Sequence, residues 1–317
     1  MITDHPKIVP GVQADSSVAA PDLRFSAGGR LSSVVGRLSG SHTRPRCWDD
    51  RCVIAGRPGT VPIPETLWPM LSGMRAQVVW RNELGGLTIE ATGAVGRRFI
   101  KWAPAGSGLN LAAEAPRLRW AGAYTPVPRV LGGGTDHSGE WLITAAVAGS
   151  SAVAPRWKAA PETAVCAIGV GLRGLHNALP VASCPFSWSA EDRVADAMRR
   201  ARLRTLSPKS WHPEHAGLSV DEALHAVSQS PPTDQLVVCH GDACAPNTML
   251  ADDGSPAGHV DLGDLGVADR WADLAVATWS IDWNYGPGWQ RQLLDAYGID
   301  PDPDRLAYYR LLWDLGP

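Results

Sequence analysis

The sequence predicts an α+β chain of two lobes, a small β-rich N-terminal lobe ahead of a larger helical C-terminal lobe. Residues 75–144 hold short apolar runs of strand length with one helical pattern among them. From about residue 160, apolar residues recur at helical spacing. A chain of 317 residues, 44 % hydrophobic and 19 % charged, is long for one core and natural for two. Two lobes of this kind imply a cleft between them.

Residues 1–60 stand apart from this scheme. They are rich in Gly, Ser, Pro and Arg, as in Ser26-Ala27-Gly28-Gly29-Arg30 and Arg44-Pro45-Arg46, with neither strand nor helix period. Such a stretch reads as a poorly ordered extension, and a start of translation near Val61 or Met70 is compatible with the rest.

The N-lobe is expected over residues 61–145. Ala76-Gln77-Val78-Val79-Trp80 and Leu87-Thr88-Ile89-Glu90-Ala91 read as paired strands. Between them, Gly85 and Gly86 serve either as a hairpin turn or as a place where backbone approaches phosphates. Arg98-Phe99-Ile100-Lys101-Trp102 is a third strand with one lysine in its apolar run. A helix follows from about Leu111 to Ala123, and Pro116 requires that it begin late or bend. Val130 opens a strand-rich stretch ending in Trp141-Leu142-Ile143-Thr144. Thr144 to Val147 then fits a hinge whose backbone groups, at Ala145 and Val147, would bind adenine.

The C-lobe, residues 146–317, reads as helices over Thr163–Leu179, Ser189–Leu206 and Val220–Val227. A strand pair comes next, followed by closing helices over Trp271–Ile281, Trp289–Tyr297 and Pro303–Leu312.

The strand pair carries the chemistry. Val237-Val238-Cys239-His240-Gly241-Asp242 is an apolar strand running into a tight loop, Asn247 lies five residues on, and His259-Val260-Asp261-Leu262-Gly263 is a second strand ending in an acid. Phosphoryl transfer needs such a set: a carboxylate to orient the attacking hydroxyl and oxygen ligands to hold magnesium on the leaving phosphates. Asp242 takes the first role, Asn247 and Asp261 the second, and His240 braces the loop. The bland reading makes Asp242 a turn cap and Asn247 a helix cap. A metallohydrolase with His240, Asp242 and Asp261 on one metal is a further alternative, but no second histidine stands at ligand spacing. Lys101, costly inside an apolar strand, is settled by pairing with nucleotide phosphates and the helix carboxylate Glu114. The alternative is an edge-strand lysine whose head reaches water.

Bulk properties exclude several classes. A formal net charge of -3 favours neither nucleic acid nor an anionic membrane. The six cysteines are too scattered for a disulfide framework, and Cys47 with Cys52 lacks a second pair for zinc. Cys239 and Cys244 are expected to pack as small residues. Without an apolar run of membrane length or a secretory core, a cytoplasmic protein follows by elimination. Nothing chooses between a monomer and a homodimer.

From about residue 75 onward the chain resembles the aminoglycoside O-phosphotransferases, particularly the enzymes acting on the 3'-hydroxyl and their streptomycin 3''-relatives. The resemblance rests on Phe99-Ile100-Lys101, Ala113-Glu114, Leu175-His176-Asn177-Ala178-Leu179-Pro180, Val238-Cys239-His240-Gly241-Asp242 with Pro246-Asn247, and Asp261-Leu262-Gly263 running into Asp269-Arg270-Trp271-Ala272-Asp273. It implies a protein-kinase-like fold, ATP and Mg2+, and an antibiotic sugar as acceptor. It makes Asp242 the base, Asn247 and Asp261 magnesium ligands, and Lys101 with Glu114 the phosphate-positioning pair. Asp269 and Asp273 read as caps and packing partners of the next helix.

The acceptor region departs from the family. Asp264 stands where many relatives have arginine, and the C-terminus keeps one acid, Asp314, where relatives of the 3' type often have two. Asp264, Asp282 and Asp314 are therefore the candidate acids for acceptor ammonium groups, which an acidic cleft would hold. Trp279 and Trp283 are candidates for stacking on sugar rings, with core packing the plainer role. A kinase of another small hydroxylated metabolite, or a non-catalytic nucleotide-binding regulator, are the other readings.

Overall fold

The structure is a computed structural model that describes residues 61–82 and 84–316. The N-terminal extension expected over residues 1–60, with Cys47 and Cys52, lies outside the described residues.

A short helix α1 (Trp68–Leu71) precedes a five-stranded antiparallel sheet in the order β1-β2-β3-β5-β4. Its strands are β1 (Arg75–Arg81), β2 (Leu87–Gly93), β3 (Gly96–Pro104), β4 (Val130–Thr135) and β5 (Gly139–Ala145). Alternation gives the sheet two faces. Val78, Leu87, Ile89 and Ile100 close with Leu67 into a small core on one face. Thr88, Glu90, Phe99 and Lys101 look out from the other, into the inter-lobe cleft. β3 lies between β2 and β5, so the edge-strand reading of Lys101 is overturned.

Between β3 and β4, a single 3-10 turn at Leu111–Ala113 leads into α2 (Glu114–Ala121). The expected helix thus begins late. Pro116 sits in the first turn, where its missing N–H costs no helix bond, so it does not kink the helix.

After β5, the two-residue strand β6 (Ser150–Ser151) joins β8 (Thr248–Leu250) and β9 (Pro256–His259) in a small sheet. β7 (Leu236–Cys239) pairs antiparallel with β10 (Gly266–Asp269). Helices α3 (Pro155–Lys158), α4 (Pro161–Ala178), α5 (Ala190–Arg202), α6 (Val220–Val227), α7 (Trp271–Tyr285), α8 (Gln290–Tyr297) and α9 (Pro303–Asp314) enclose these strands. Ser219 and Glu222 form a capping box at the start of α6. α7 is buried all round from Trp271 to Ile281, as befits the central helix of the C-lobe. Cys239 and Cys244 pack inside this core, as expected of small thiols. Among the described residues no helix is long and apolar enough to cross a membrane.

Candidate active site

A cavity of about 390 Å³ lies between the sheet and the turns of the C-lobe. Thr88 and Lys101 line it from above, Ala145 and Val147 from the connection between lobes, and Asn247 and Asp261 from below. The sequence placed five of these six residues at a nucleotide site; Thr88 is the addition.

Lys101 is 5 % exposed. Its ammonium donates to Glu114 Oε2 at 2.5 Å and to Asp261 Oδ1 at 2.9 Å. Burial works against the charge, yet the Asp261 and Glu114 carboxylates outweigh it and hold the ammonium above the ordinary lysine range. Burial pushes the Asp261 carboxyl up, with Lys101 opposing. The backbone of Asp261 is left-handed at φ 69°, a conformation aspartate tolerates better than most residues, and it turns the carboxylate toward Lys101.

The loop after β7 is fixed by hydrogen bonds. Asn247 Nδ2 donates to the main-chain oxygen of Asp242 at 3.0 Å and to Asp242 Oδ2 at 2.8 Å. That commits the amide nitrogen to Asp242 and leaves the amide oxygen as the atom suited to a hard cation. Together with the Asp261 carboxylate, this oxygen set fits magnesium. The main-chain N–H of Val260 donates to the Asn247 carbonyl at 2.9 Å, which ties the turns of Asn247 and Asp261 together.

His240 does brace the loop. Its Nε2 lies 2.9 Å from the Val260 carbonyl, and its Nδ1 accepts from the Asp242 N–H at 3.2 Å. Both ring nitrogens are thereby used, as in a neutral ring protonated at Nε2. This removes His240 as a metal ligand and with it the metallohydrolase alternative.

Asp273 does more than cap and pack. Its Oδ2 accepts from the His240 N–H at 2.6 Å and its Oδ1 from the Gly241 N–H at 3.0 Å. His176 Nε2 lies 2.9 Å from Oδ2, and His176 Nδ1 lies 2.8 Å from the Tyr297 hydroxyl. These bonds hold the Asp273 carboxyl below its usual range against the opposing effect of burial. Gly241 is required here: at φ 85° a Cβ would stand 2.3 Å from the Asp264 carbonyl oxygen. The sequence offered Asp273 only as a cap or packing partner; the loop clamp and its His176 contact are visible only in three dimensions. Asp269 behaves as a cap, its Oδ1 accepting from the Trp271 N–H at 3.0 Å.

The candidate acceptor acids scatter. Asp264 is half-buried beside the loop of Gly241 and Asp242, and its carboxyl is pushed up to about 7 by burial and then by Asp242 and Asp261. Asp282 lines a second cavity, of about 810 Å³, with Glu214, Lys158, Arg310, Trp279 and Trp283. Trp279 stacks on His212 with ring centroids 4.2 Å apart, and it is itself buried against the core. Asp314 is not on that wall. It is 2 % exposed and accepts from the His212 N–H at 3.0 Å, with His215 Nδ1 at 2.5 Å. The expectation that Asp314 faces an acceptor is corrected: its carboxylate is spent on organising the segment around His212.

Gly85 and Gly86 do not line the cavity beside Lys101. The Gly85 N–H donates to the Asn82 carbonyl at 3.2 Å, and the Gly86 N–H to Asn82 Oδ1 at 2.6 Å. Of their two readings, the structure displays the turn.

The model of the phosphotransferase enzyme family matches residues 58–309. The aminoglycoside 3'-phosphotransferase of Streptomyces fradiae is 38 % identical over 66 % of this chain and 81 % of its own length. The streptomycin 3''-kinase of Streptomyces griseus is 35 % identical over 78 % of this chain and 95 % of its own. Among solved structures, the aminoglycoside-3'-phosphotransferase of type VIII is 33 % identical, with TM-score 0.66, covering 77 % of this chain and 94 % of that one. The aminoglycoside phosphotransferase APH(3'')-Id from Streptomyces rimosus, in complex with ADP and streptomycin, is 28 % identical with TM-score 0.62, covering 80 % and 99 %. The α+β two-lobe architecture is thus the kinase-like one of these enzymes, and the chain belongs to the phosphotransferase enzyme family.

Proposed function

We propose that this protein transfers the γ-phosphoryl group of ATP to a sugar hydroxyl of an aminoglycoside antibiotic, the 3'-hydroxyl in the first instance, and so confers resistance. The observation that carries this is the convergence of Lys101, Asn247 and Asp261 on one cavity, with Asp242 bonded to Asn247. The relatives named above supply the acceptor class.

In this reading Asp242 accepts the proton of the acceptor hydroxyl as its oxygen bonds to phosphorus and the bond to the β-phosphate oxygen breaks. Lys101, oriented by Glu114, neutralises phosphate oxygens. Asn247 and Asp261 would hold Mg2+, which when bound would offset the charge gathering on the leaving diphosphate. Asp273 keeps the Asp242 loop in place, and Ala145 and Val147 offer backbone groups to the adenine.

A second reading, a streptomycin 3''-phosphotransferase, is favoured by the cavity around Asp282. Its acids Glu214 and Asp282 are offset there by Lys158 and Arg310, and Trp279 and Trp283 supply aromatic surface. Such a wall suits an acceptor with fewer amines than the most cationic aminoglycosides. Incubating kanamycin, neomycin and streptomycin with ATP, Mg2+ and the protein decides between them. Mass spectrometry should show one added phosphoryl group on at least one drug; no transfer to any drug refutes the acceptor class.

A further inference from the structure

We propose that the indole N–H of Trp80 and the hydroxyl of Thr88 bind the phosphate chain of the nucleotide, in one row with Lys101. This rests on the nucleotide-binding reading above and extends it to two side chains.

The row follows from strand register. Trp80 of β1 is the cross-strand partner of Thr88 of β2, and Thr88 is the partner of Lys101 of β3. Directly opposed residues share a face. Strict alternation along β1 would put Trp80 on the same face as Val78, in the small core. The register shifts between Val78 and Trp80, leaving Val79 as the extra residue of a bulge. A bulge re-aims the side chains after it, and here Val79 and Trp80 both line the cavity.

Among the described residues neither polar atom has a hydrogen-bond partner. Trp80 Nε1 and Thr88 Oγ1 are both buried. Thr88 is 2 % exposed. A buried donor without an acceptor is costly, and a bound acceptor removes the cost. An indole N–H only donates, so the missing partner of Trp80 is an acceptor oxygen or nitrogen.

Position along the strands selects phosphate over adenine. Thr144, just before the connection that carries Ala145 and Val147, pairs with Phe99. Lys101, opposite Thr88, is the next cleft-facing residue along β3 after Phe99. One such step is roughly 7 Å away from the hinge. The Trp80–Thr88–Lys101 row therefore belongs to the end of the cavity where Asn247 and Asp261 stand. Two of the three N–H donors of Lys101 already go to carboxylates, which leaves one for phosphate, and neutral N–H and O–H groups supply more without adding charge.

Calorimetric titration with Mg2+-ADP and with adenosine tests the proposal on wild type, Thr88→Val and Trp80→Phe. Each variant should weaken ADP binding about tenfold, the size of one hydrogen bond to a charged group, and leave adenosine binding unchanged. The free Thr88→Val protein should unfold no earlier than wild type, because a methyl replaces an unpartnered hydroxyl. Trp80→Phe is read in the same way and stands alone should Thr88→Val not fold. Wild-type ADP affinity in the folded variants overturns the donor row and leaves the nucleotide reading standing. An equal loss for adenosine and ADP likewise overturns it. Failure of the wild type to bind either compound removes the nucleotide reading and this proposal together.

Discussion

Lys101 Nζ stands 2.9 Å from Asp261 Oδ1, a buried bond between residues 160 positions apart that fastens the five-stranded sheet to the turn after β9. With Glu114 at 2.5 Å on the same ammonium, one cation serves two carboxylates. Lys101→Met strands both acids in the interior. Breaking a buried pair from one side costs about 3–5 kcal/mol. The free variant is expected to melt well below wild type and to show a raised KM for ATP. Unchanged melting and unchanged KM in a folded variant would refute the bond's importance.

Asp242→Ala should nearly abolish turnover, by about 10²–10⁴-fold, while ADP affinity stays close to wild type. Steady-state phosphate transfer alongside nucleotide titration measures both. Turnover retained within about tenfold would disqualify Asp242 as the base.

Asn247→Ala and Asp261→Ala should each shift the magnesium dependence of turnover to higher metal concentration and weaken ATP use in parallel. The check is a magnesium titration at fixed ATP. An unmoved midpoint in both variants would show that the cation is held elsewhere.

Asp273→Ala leaves the His240 and Gly241 N–H groups and the His176 ring without their shared acceptor. Leaving such groups unmet in the interior costs about 1–3 kcal/mol apiece. The expected outcome is lower stability in urea, faster hydrogen exchange at His240 and Gly241, and reduced turnover. Asp273→Asn keeps one acceptor oxygen and should fall between. Wild-type exchange rates at both amides would defeat the clamp.

His259 supplies a pH dependence. Its imidazole is held down to about 3 from the usual 6.5 by burial, with His240 adding to the effect. The unfolded chain therefore binds this proton more readily than the native one. The contribution to stability is complete above about pH 6.5 and is lost as pH falls toward about 3. Urea unfolding across this range should show a steep acid loss that His259→Gln flattens. The same slope in wild type and variant would assign the acid sensitivity to other groups.

Much of this was legible in the sequence because it is local. The α6 boundaries, Val220–Val227, follow from helical spacing and the Ser219–Glu222 box. Asp242 and Asn247 are five residues apart on one loop, so their contact is local; Asp261 reaches them only because Val260 pairs with Asn247. Asp273 was legible as a residue but not as a clamp, since its partners at 240 and 241 lie a strand pair away. Asp314 was misjudged because the motif position of an acid says nothing of its burial. Thr88 and Trp80 belong to no motif, and for Trp80 the bulge at Val79 also breaks the alternation that would reveal its face.

The left-handed backbone at Asp261 restricts what can be substituted there. Outside glycine, asparagine is the residue that shares aspartate's ease with that geometry, and it retains an oxygen donor in the same place. An Asp261→Asn protein would thus keep the bend and remove the anion. It would separate the electrical contribution of this position from its mechanical one, which the alanine change alters together.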